Sequence, residues 1–560
     1  MTNATASRAL DWFAAHRPTL DAARDAIRTR AYWSAYPESA SGKVYGETAA
    51  ADGKTAFEAR LGTTFELGQP GVDGAISSEE SPYGLPLDIT YPTSSIDALI
   101  AAATAAMPAW AEAGHEARTG ALLEALVRIN KASYTLASAT MHTTGQAFLM
   151  AFQAGGPHAQ DRALEAVAYA FDEMSRMPQR MVWEKPQGKN EPLRIEKTFT
   201  IVPRGIELTI GCSTFPTWNA YPGIFASLVT GNAVIVKPHP RAILSLAMTV
   251  EILRTVLSEA GFDPNLVTLA VEAPDAPIAK DLAQRPEITI VDYTGSTEFG
   301  TWLEENAHAL VYTEKAGVNT VIVDGTNDFG GMTRNLAMSV SLYSGQMCTA
   351  PQNIFVPRAG IETNEGRKSF DEVVAAISGA IDALVAAPER AVELLGAIAV
   401  AATAERVDTE NAKPGVVRPS VALAHPTFPD ARIRTPLVVK LDASDVARFD
   451  REMFGPIVYV IATDSTEQSF ALATTQARTK GALTMIVHAT DPAVIAAGER
   501  AAIDGRVSLA INLTGNLLVN QSAAFSDYHV TGGNPAGNAS LTDAAFVANR
   551  FRIVETRRPA

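Results

Sequence analysis

Two cysteines occur in the 560-residue chain, Cys212 and Cys348. The second stands in Ser344-Gly345-Gln346-Met347-Cys348, directly after a helical pattern over about 332–343. The glycine permits a tight turn that would present the thiol. A thiol nucleophile suits aldehyde oxidation, because a thiohemiacetal can lose hydride to an acceptor and leave a thioester. An unperturbed thiol is only about 3% thiolate at pH 7, so this chemistry needs a neighbouring base or dipole. Glu314 stands 34 residues upstream in Tyr312-Thr313-Glu314-Lys315-Ala316-Gly317-Val318. It follows a helical pattern over 297–309 and precedes an apolar strand run over 318–323. A carboxylate there can take the thiol proton and later activate the water that hydrolyses the thioester. Each signal alone has a plain reading: a small buried cysteine, and a solvated Glu-Lys pair. Cys212 is read as structural.

The elements that must position these residues follow from the hydrophobic pattern. From residue 206 onward, β-rich runs at 206–210, 233–237, 266–271 and 288–293 alternate with helices, one of them amphipathic over 242–260 and ended by Gly261. That succession predicts a parallel sheet with helices on both faces, whose ligands bind at the carboxyl ends of the strands. Residues 314–520 mix strands with helices such as 370–386 and read as a second α/β domain. Upstream, Ser94 and Asp97 form a capping pair for a helix carrying Ile96, Leu99, Ile100, Ala103 and Met107, and a second helix is expected over about 118–138. Residues 1–90 combine helical stretches with proline and glycine and read as an appended N-terminal extension. Segments 194–202 and 548–557 alternate in polarity and suit pairing with each other or with a neighbouring subunit.

Composition bounds the rest. A formal charge of -15 disfavours nucleic acid and anionic lipid as partners. No apolar run reaches the roughly 18 residues of a membrane span, and no signal-peptide pattern opens the chain, so a cytoplasmic protein is expected. Two cysteines are too few for a disulfide framework or a cysteine-rich zinc site, and no metal is expected.

Further motifs accompany the Cys348 and Glu314 words: Tyr293-Thr294-Gly295-Ser296 with Gly300 beyond, Gly231-Asn232 leading into Val236-Lys237-Pro238, and Glu452-Met453-Phe454-Gly455-Pro456. With these in order and at this spacing, the chain resembles the aldehyde dehydrogenase superfamily over about residues 91–557. The match to the family's base motif is partial, through Glu314 and Gly317. The resemblance implies an α/β fold with a Rossmann-like parallel-sheet cofactor domain, a second α/β catalytic domain and a small β arm for oligomerisation. It divides the chain into an extension (1–90), an NAD(P)-binding domain (91–313, with 186–202 as oligomerisation hairpin), a catalytic domain (314–520), and a return to the cofactor domain with a C-terminal strand (521–560). It implies Cys348 as nucleophile and Glu314 as base. It also implies Lys237 at the adenosine ribose or a 2′-phosphate, Gly295 and Ser296 by the pyrophosphate, and Glu452 and Phe454 at the nicotinamide ribose and ring. Small residues at a strand-to-helix turn let a phosphate approach backbone N–H groups.

Two departures from the family pattern stand out. Where the family carries an oxyanion-holding asparagine, alignment on Phe215-Pro216 places Thr214; further on, Asn219 is read as a substrate-tunnel residue alongside Trp218, with replacement of the missing asparagine as its alternative role. A hydroxyl can donate one hydrogen bond, but losing an oxyanion donor can cost roughly 10²- to 10³-fold. Beyond Lys237-Pro238, where many NAD-preferring relatives carry a glutamate, stand Pro240 and Arg241, which favours NADP over NAD. Several long stretches, among them YSGQMCTAPQN and VNQSAAFSDYHVTGGNPAGN, resemble the phenylacetate-degradation (PaaN-type) branch. That resemblance implies a homodimer or homotetramer oxidising a ring-opened semialdehyde, free or CoA-linked. Two alternatives stay open: CoA-acylating chemistry, and a non-catalytic binding protein of the same fold.

Overall fold

The computed structural model describes residues 6–519 and 523–560. The expected boundary at 520/521 and the first five residues lie outside the described residues. The runs Ile206–Ile210 and Ala233–Lys237 are buried at every position, as a parallel sheet covered on both faces requires. They join Val267–Leu269, Ile288–Thr294 and Leu310–Glu314 in a five-stranded sheet. Its order is 267–269, 233–237, 206–210, 288–294, 310–314, and every pairing is parallel. The strand earliest in the chain is therefore central, and succession runs outward from it in both directions. This arrangement opens a crevice at the carboxyl ends of the strands.

A seven-stranded sheet follows, in the order 416–418, 437–442, 457–463, 353–357, 320–323, 484–488, 508–511, parallel except for the antiparallel edge pair 416–418 with 437–442. A third, antiparallel sheet joins Arg180–Gln187, Asn190–Pro203 and Phe551–Pro559. Here the two alternating segments do pair with each other, with Phe551 opposite Pro203 and Pro559 opposite Ile195. This arm is largely exposed.

The sequence expectations need three corrections. The single helix expected over 118–138 is two, Gly114–Lys131 and Ser133–Thr144, because Ala132 leaves helical geometry at ψ 7°. The strand expected over 266–271 is only Val267–Leu269, preceded by a tight 3₁₀ turn at Pro264–Leu266. The N-terminal segment is not appended: Ala9, Phe13, Leu20, Ala23 and Ile27 of the helix Ser7–Thr29 belong to the same hydrophobic core as the five-stranded sheet. Gly120 permits that docking, since a Cβ there would lie 2.1 Å from the Ala9 carbonyl oxygen. Among the described residues no helix is long and apolar enough to cross a membrane.

Candidate active site

The helix Phe329–Ser341 delivers the chain to the nucleophile loop. Its start is fixed by Asp328, whose carboxylate accepts from Gly331 N at 2.8 Å. After it, Tyr343, Ser344 and Gly345 take φ of 50°, 52° and 63° in succession. Each non-glycine residue held there costs on the order of 1 kcal/mol. Tyr343 Oη donating to Thr144 O (2.5 Å) and Ser344 Oγ donating to Leu395 O (3.0 Å) help hold that conformation. Gly345 is required by space as well as by φ, because a Cβ would lie 2.6 Å from Gly455 O. Gln346 donates to Tyr343 O and Ala397 O (3.2 and 3.1 Å) and accepts from Ala399 N (2.9 Å). Asn319 donates to the carbonyls of Cys348 (2.7 Å) and Ala350 (3.0 Å) while accepting from Leu483 N and Thr484 N. The Cys348 backbone is thus tied to the seven-stranded sheet.

Glu314 ends the strand Leu310–Glu314 and is 2% exposed, so the solvated-pair reading does not apply. Its two oxygens are held separately: Oε2 accepts from Asn219 Nδ2 at 3.1 Å, and Oε1 lies 3.1 Å from His529 Nε2. That same imidazole nitrogen lies 3.7 Å from Cys348 Sγ. Cys212 Sγ, at 3.5 Å from Asn219 Oδ1, fixes which way the Asn219 amide points. Burial pushes the Glu314 carboxyl up, but the charge and hydrogen bond of His529 outweigh it and hold the group below its usual range. Burial, and then the Glu314 charge, push the Cys348 thiol well above its ordinary value. The base is ionised; a lone thiolate beside it is disfavoured.

Cys348 lies where two cavities meet. One, of about 520 Å³, lies at the carboxyl ends of the five-stranded sheet and is lined by Lys237, Gly295, Ser296, Glu452 and Phe454. The other, of about 590 Å³, runs past Trp218, Met347, Leu483 and Leu513 as a mostly apolar tunnel. Cys348, Asn219 and Phe215 line both.

The N-terminal segment reaches this tunnel by holding the 523–530 loop that carries His529. Arg30 Nη2 donates to Asp527 O at 2.6 Å, and its guanidinium lies 4.2 Å from the Tyr528 ring centre. Trp33 meets Phe525 edge-on at 5.1 Å. From the helix Ala159–Ser175, Arg162 pairs with Asp527, and Glu165 accepts from Phe525 N at 3.0 Å.

The profile of the Aldehyde dehydrogenase family matches residues 90–533. The chain belongs to the aldehyde dehydrogenase family. It is 58% identical to an NAD-dependent aldehyde dehydrogenase from Burkholderia multivorans, whose crystal structure superposes with a TM-score of 0.97 over 100% of both chains. It is 25% identical to an N-succinylglutamate 5-semialdehyde dehydrogenase from Burkholderia lata, over 72% of this chain and 77% of that one. A 1-pyrroline-5-carboxylate dehydrogenase from Bacillus licheniformis is 27% identical over 49% of this chain, and the match spans half (50%) of that protein's length.

Set within an aldehyde dehydrogenase, most residues singled out from the sequence converge on the two cavities. Lys237, Gly295, Ser296, Glu452 and Phe454 line the cleft, and Trp218 and Asn219 line the tunnel. Arg241 is not among the residues lining the cleft. Glu272 is, and it forms a salt bridge with Lys237. Thr214 opens on the cleft and not on the tunnel, and its carbonyl accepts from Gln146 Nε2 at 2.7 Å. The cleft fits a dinucleotide. Ser296 caps the helix Thr297–Asn306, whose N-terminus faces it, and burial pushes the Glu452 carboxyl up to about 7. Sequence reasoning missed His529, Glu272 and Asn319. His529 lies in one of the stretches that resemble the phenylacetate branch, but nothing in its own spacing marked it.

Proposed function

We propose that the chain oxidises an aldehyde to its carboxylic acid, with Cys348 as nucleophile and Glu314 as the base of the hydrolytic half-reaction. The observation that carries this reading is Cys348 at the junction of cleft and tunnel beside a buried, ionised Glu314. Cys348 Sγ adds to the carbonyl carbon of a substrate entering by the tunnel. The developing oxyanion is met by the Asn219 amide, which faces both cavities, in preference to Thr214. NAD or NADP, when bound, supplies the hydride acceptor. Glu314 then takes a proton from the water that releases the acid from the thioester.

Which dinucleotide is preferred depends on Glu272 and Arg241. The carboxylate beside Lys237 suits a ribose diol and repels a 2′-phosphate, which supports NAD over the NADP preference read from Pro240 and Arg241. The apolar tunnel supports a substrate with an extended carbon chain, and the sequence resemblance supports a ring-opened semialdehyde of phenylacetate breakdown. We further propose the exposed β arm as the surface of a homodimer or homotetramer.

The test is reduced-nicotinamide formation with a panel of aliphatic, aromatic and CoA-linked semialdehydes, each with NAD and NADP, and with and without free CoA. Turnover independent of CoA in the protein, absent in Cys348→Ala, is expected. Strict dependence on CoA would replace hydrolysis with acyl transfer. Glu272→Ala should raise the NADP-to-NAD ratio of kcat/KM by about tenfold or more.

A further inference from the structure

We infer that His529 is a third catalytic residue: its Nε2 takes the Cys348 proton and, as an imidazolium held by Glu314, stands between the thiolate and the carboxylate. This rests on the reading of Cys348 as nucleophile. The geometry is that of one nitrogen facing two partners, 3.1 Å from Glu314 Oε1 and 3.7 Å from Cys348 Sγ. The ring is fixed from the side by Trp218, edge-on at 4.5 Å. Its backbone is fixed too, since His529 O accepts from Leu541 N at 3.3 Å and the preceding loop is anchored by Arg30, Trp33, Arg162 and Glu165. A residue that merely filled space would not need a ring nitrogen aimed at both reacting groups.

The chemistry explains why a third group is needed. Passing a proton directly from a thiol of ordinary pKa about 8.5 to a carboxylate of about 4.3 is uphill by about four powers of ten, and it leaves a buried thiolate with no counter-charge. An imidazole is a stronger base than a carboxylate, and its protonated form is attracted by both anions. In the first half-reaction the S–H bond breaks and its proton goes to Nε2. The sulfur pair forms the C–S bond while the carbonyl π pair moves to oxygen. Bound NAD or NADP would accept the two electrons of the oxidation as hydride. In the second half-reaction water gives its proton to Glu314, the hydroxide oxygen bonds to the thioester carbon, and the C–S bond breaks. The departing thiolate again lies beside the His529 cation.

The charged groups that face the imidazole come from several elements. Glu314 faces it from the strand end, Asp527 and Tyr528 precede it in the loop, and Glu165 and Arg162 come from the helix Ala159–Ser175, with the Arg162 guanidinium 5.4 Å from the Trp218 ring. Arg30 lies over Tyr528, the Glu452 charge acts on the Cys348 thiol, and Cys212 contacts Asn219. Carboxyl groups outnumber guanidiniums in this set.

The test is the pH profile of iodoacetamide alkylation of Cys348, read by mass spectrometry on the peptide that carries it, in the unmodified protein and in His529→Gln. The unmodified protein should alkylate with a midpoint at least about one pH unit lower than the variant, and about tenfold faster near pH 6. Coincident profiles in a variant that melts normally would overturn the inference. Should His529→Gln fail to fold, the ultraviolet thiolate absorbance of the unmodified protein minus that of Cys348→Ala decides. Thiolate present near pH 6 supports the triad, and its absence below about pH 8 overturns it. Aldehyde oxidation surviving in Cys348→Ala would instead overturn the proposed function itself, whatever His529 does.

Discussion

Glu314 and Glu452 show how burial and partners set two carboxyl groups apart. Glu314 is buried, yet the charge and hydrogen bond of His529 hold it low, while desolvation pushes the half-buried Glu452, whose backbone partner is Gly317 N at 3.4 Å, up to about 7. Glu314 should therefore remain an ionised base throughout the neutral range. Glu314→Gln is expected to lower steady-state turnover by about 10²-fold or more, while a burst of reduced cofactor survives if the base acts mainly in deacylation. Stopped-flow absorbance checks this, and a burst lost with the steady state would assign Glu314 to thiol activation. For Glu452 the sign runs with the carboxylate form. A ribose diol donates to the anion, so cofactor affinity should fall as pH drops through about 7, approaching tenfold per unit below it. Calorimetric titration with NAD at several pH values tests this, and Glu452→Gln should flatten the dependence.

At the scale of elements, the nucleophile loop depends on a glycine that answers to both conformation and space. Gly345→Ala would place a Cβ against Gly455 O at positive φ. We expect a loss of about 1–3 kcal/mol together with loss of activity, seen as a lowered denaturant midpoint. The Gly231-Asn232 word has a structural explanation. Asn232 Nδ2 donates to Arg550 O (3.0 Å), and its Oδ1 accepts from Arg204 N and Gly205 N (2.8 and 3.0 Å), tying the entry of the central strand to the returning C-terminus. The N-terminal segment acts through the loop it holds. Arg30→Ala should lower kcat several-fold while leaving cofactor affinity unchanged, because it frees the 523–530 loop and not the cleft. Equal losses in cofactor binding would show that the segment supports the whole fold instead.

The molecule as a whole is closed by one buried cation. Arg550, completely buried, donates to Glu207 (3.2 Å), Asp292 (2.5 Å) and Ser227 (2.7 Å), joining the C-terminal segment to two strands of the five-stranded sheet. Removing one partner of such a cluster leaves uncompensated buried carboxyl groups. Arg550→Met is expected to cost about 3–5 kcal/mol, measured as a fall in Tm. The arm just beyond, Phe551–Pro559, has its outer surface exposed. Truncation after Arg550 should shift the sedimentation of the protein to a smaller species if the arm joins subunits.

Residue types and spacing along the chain were enough to single out Cys348 and Glu314 as candidate nucleophile and base, and to mark the glycine turn and the alternating strands, because each is a local word whose residue types carry their own reasons. The alternation of 194–202 and 548–557 was legible too, but it left open whether they pair with each other, as they do in the fold, or with a neighbouring subunit. What depends on groups far apart in sequence emerged from the folded arrangement alone. His529 lies 181 residues from Cys348 and 215 from Glu314, and no local pattern couples them. Glu272 comes to Lys237 from beyond another strand, so a cofactor preference read from the two residues after Lys237 could not include it. The N-terminal segment looked appended because its apolar face has no partner within its own sequence. Its partners are the helices Gly114–Lys131 and Ala159–Ser175, and burial against elements distant in the chain is something spacing cannot show.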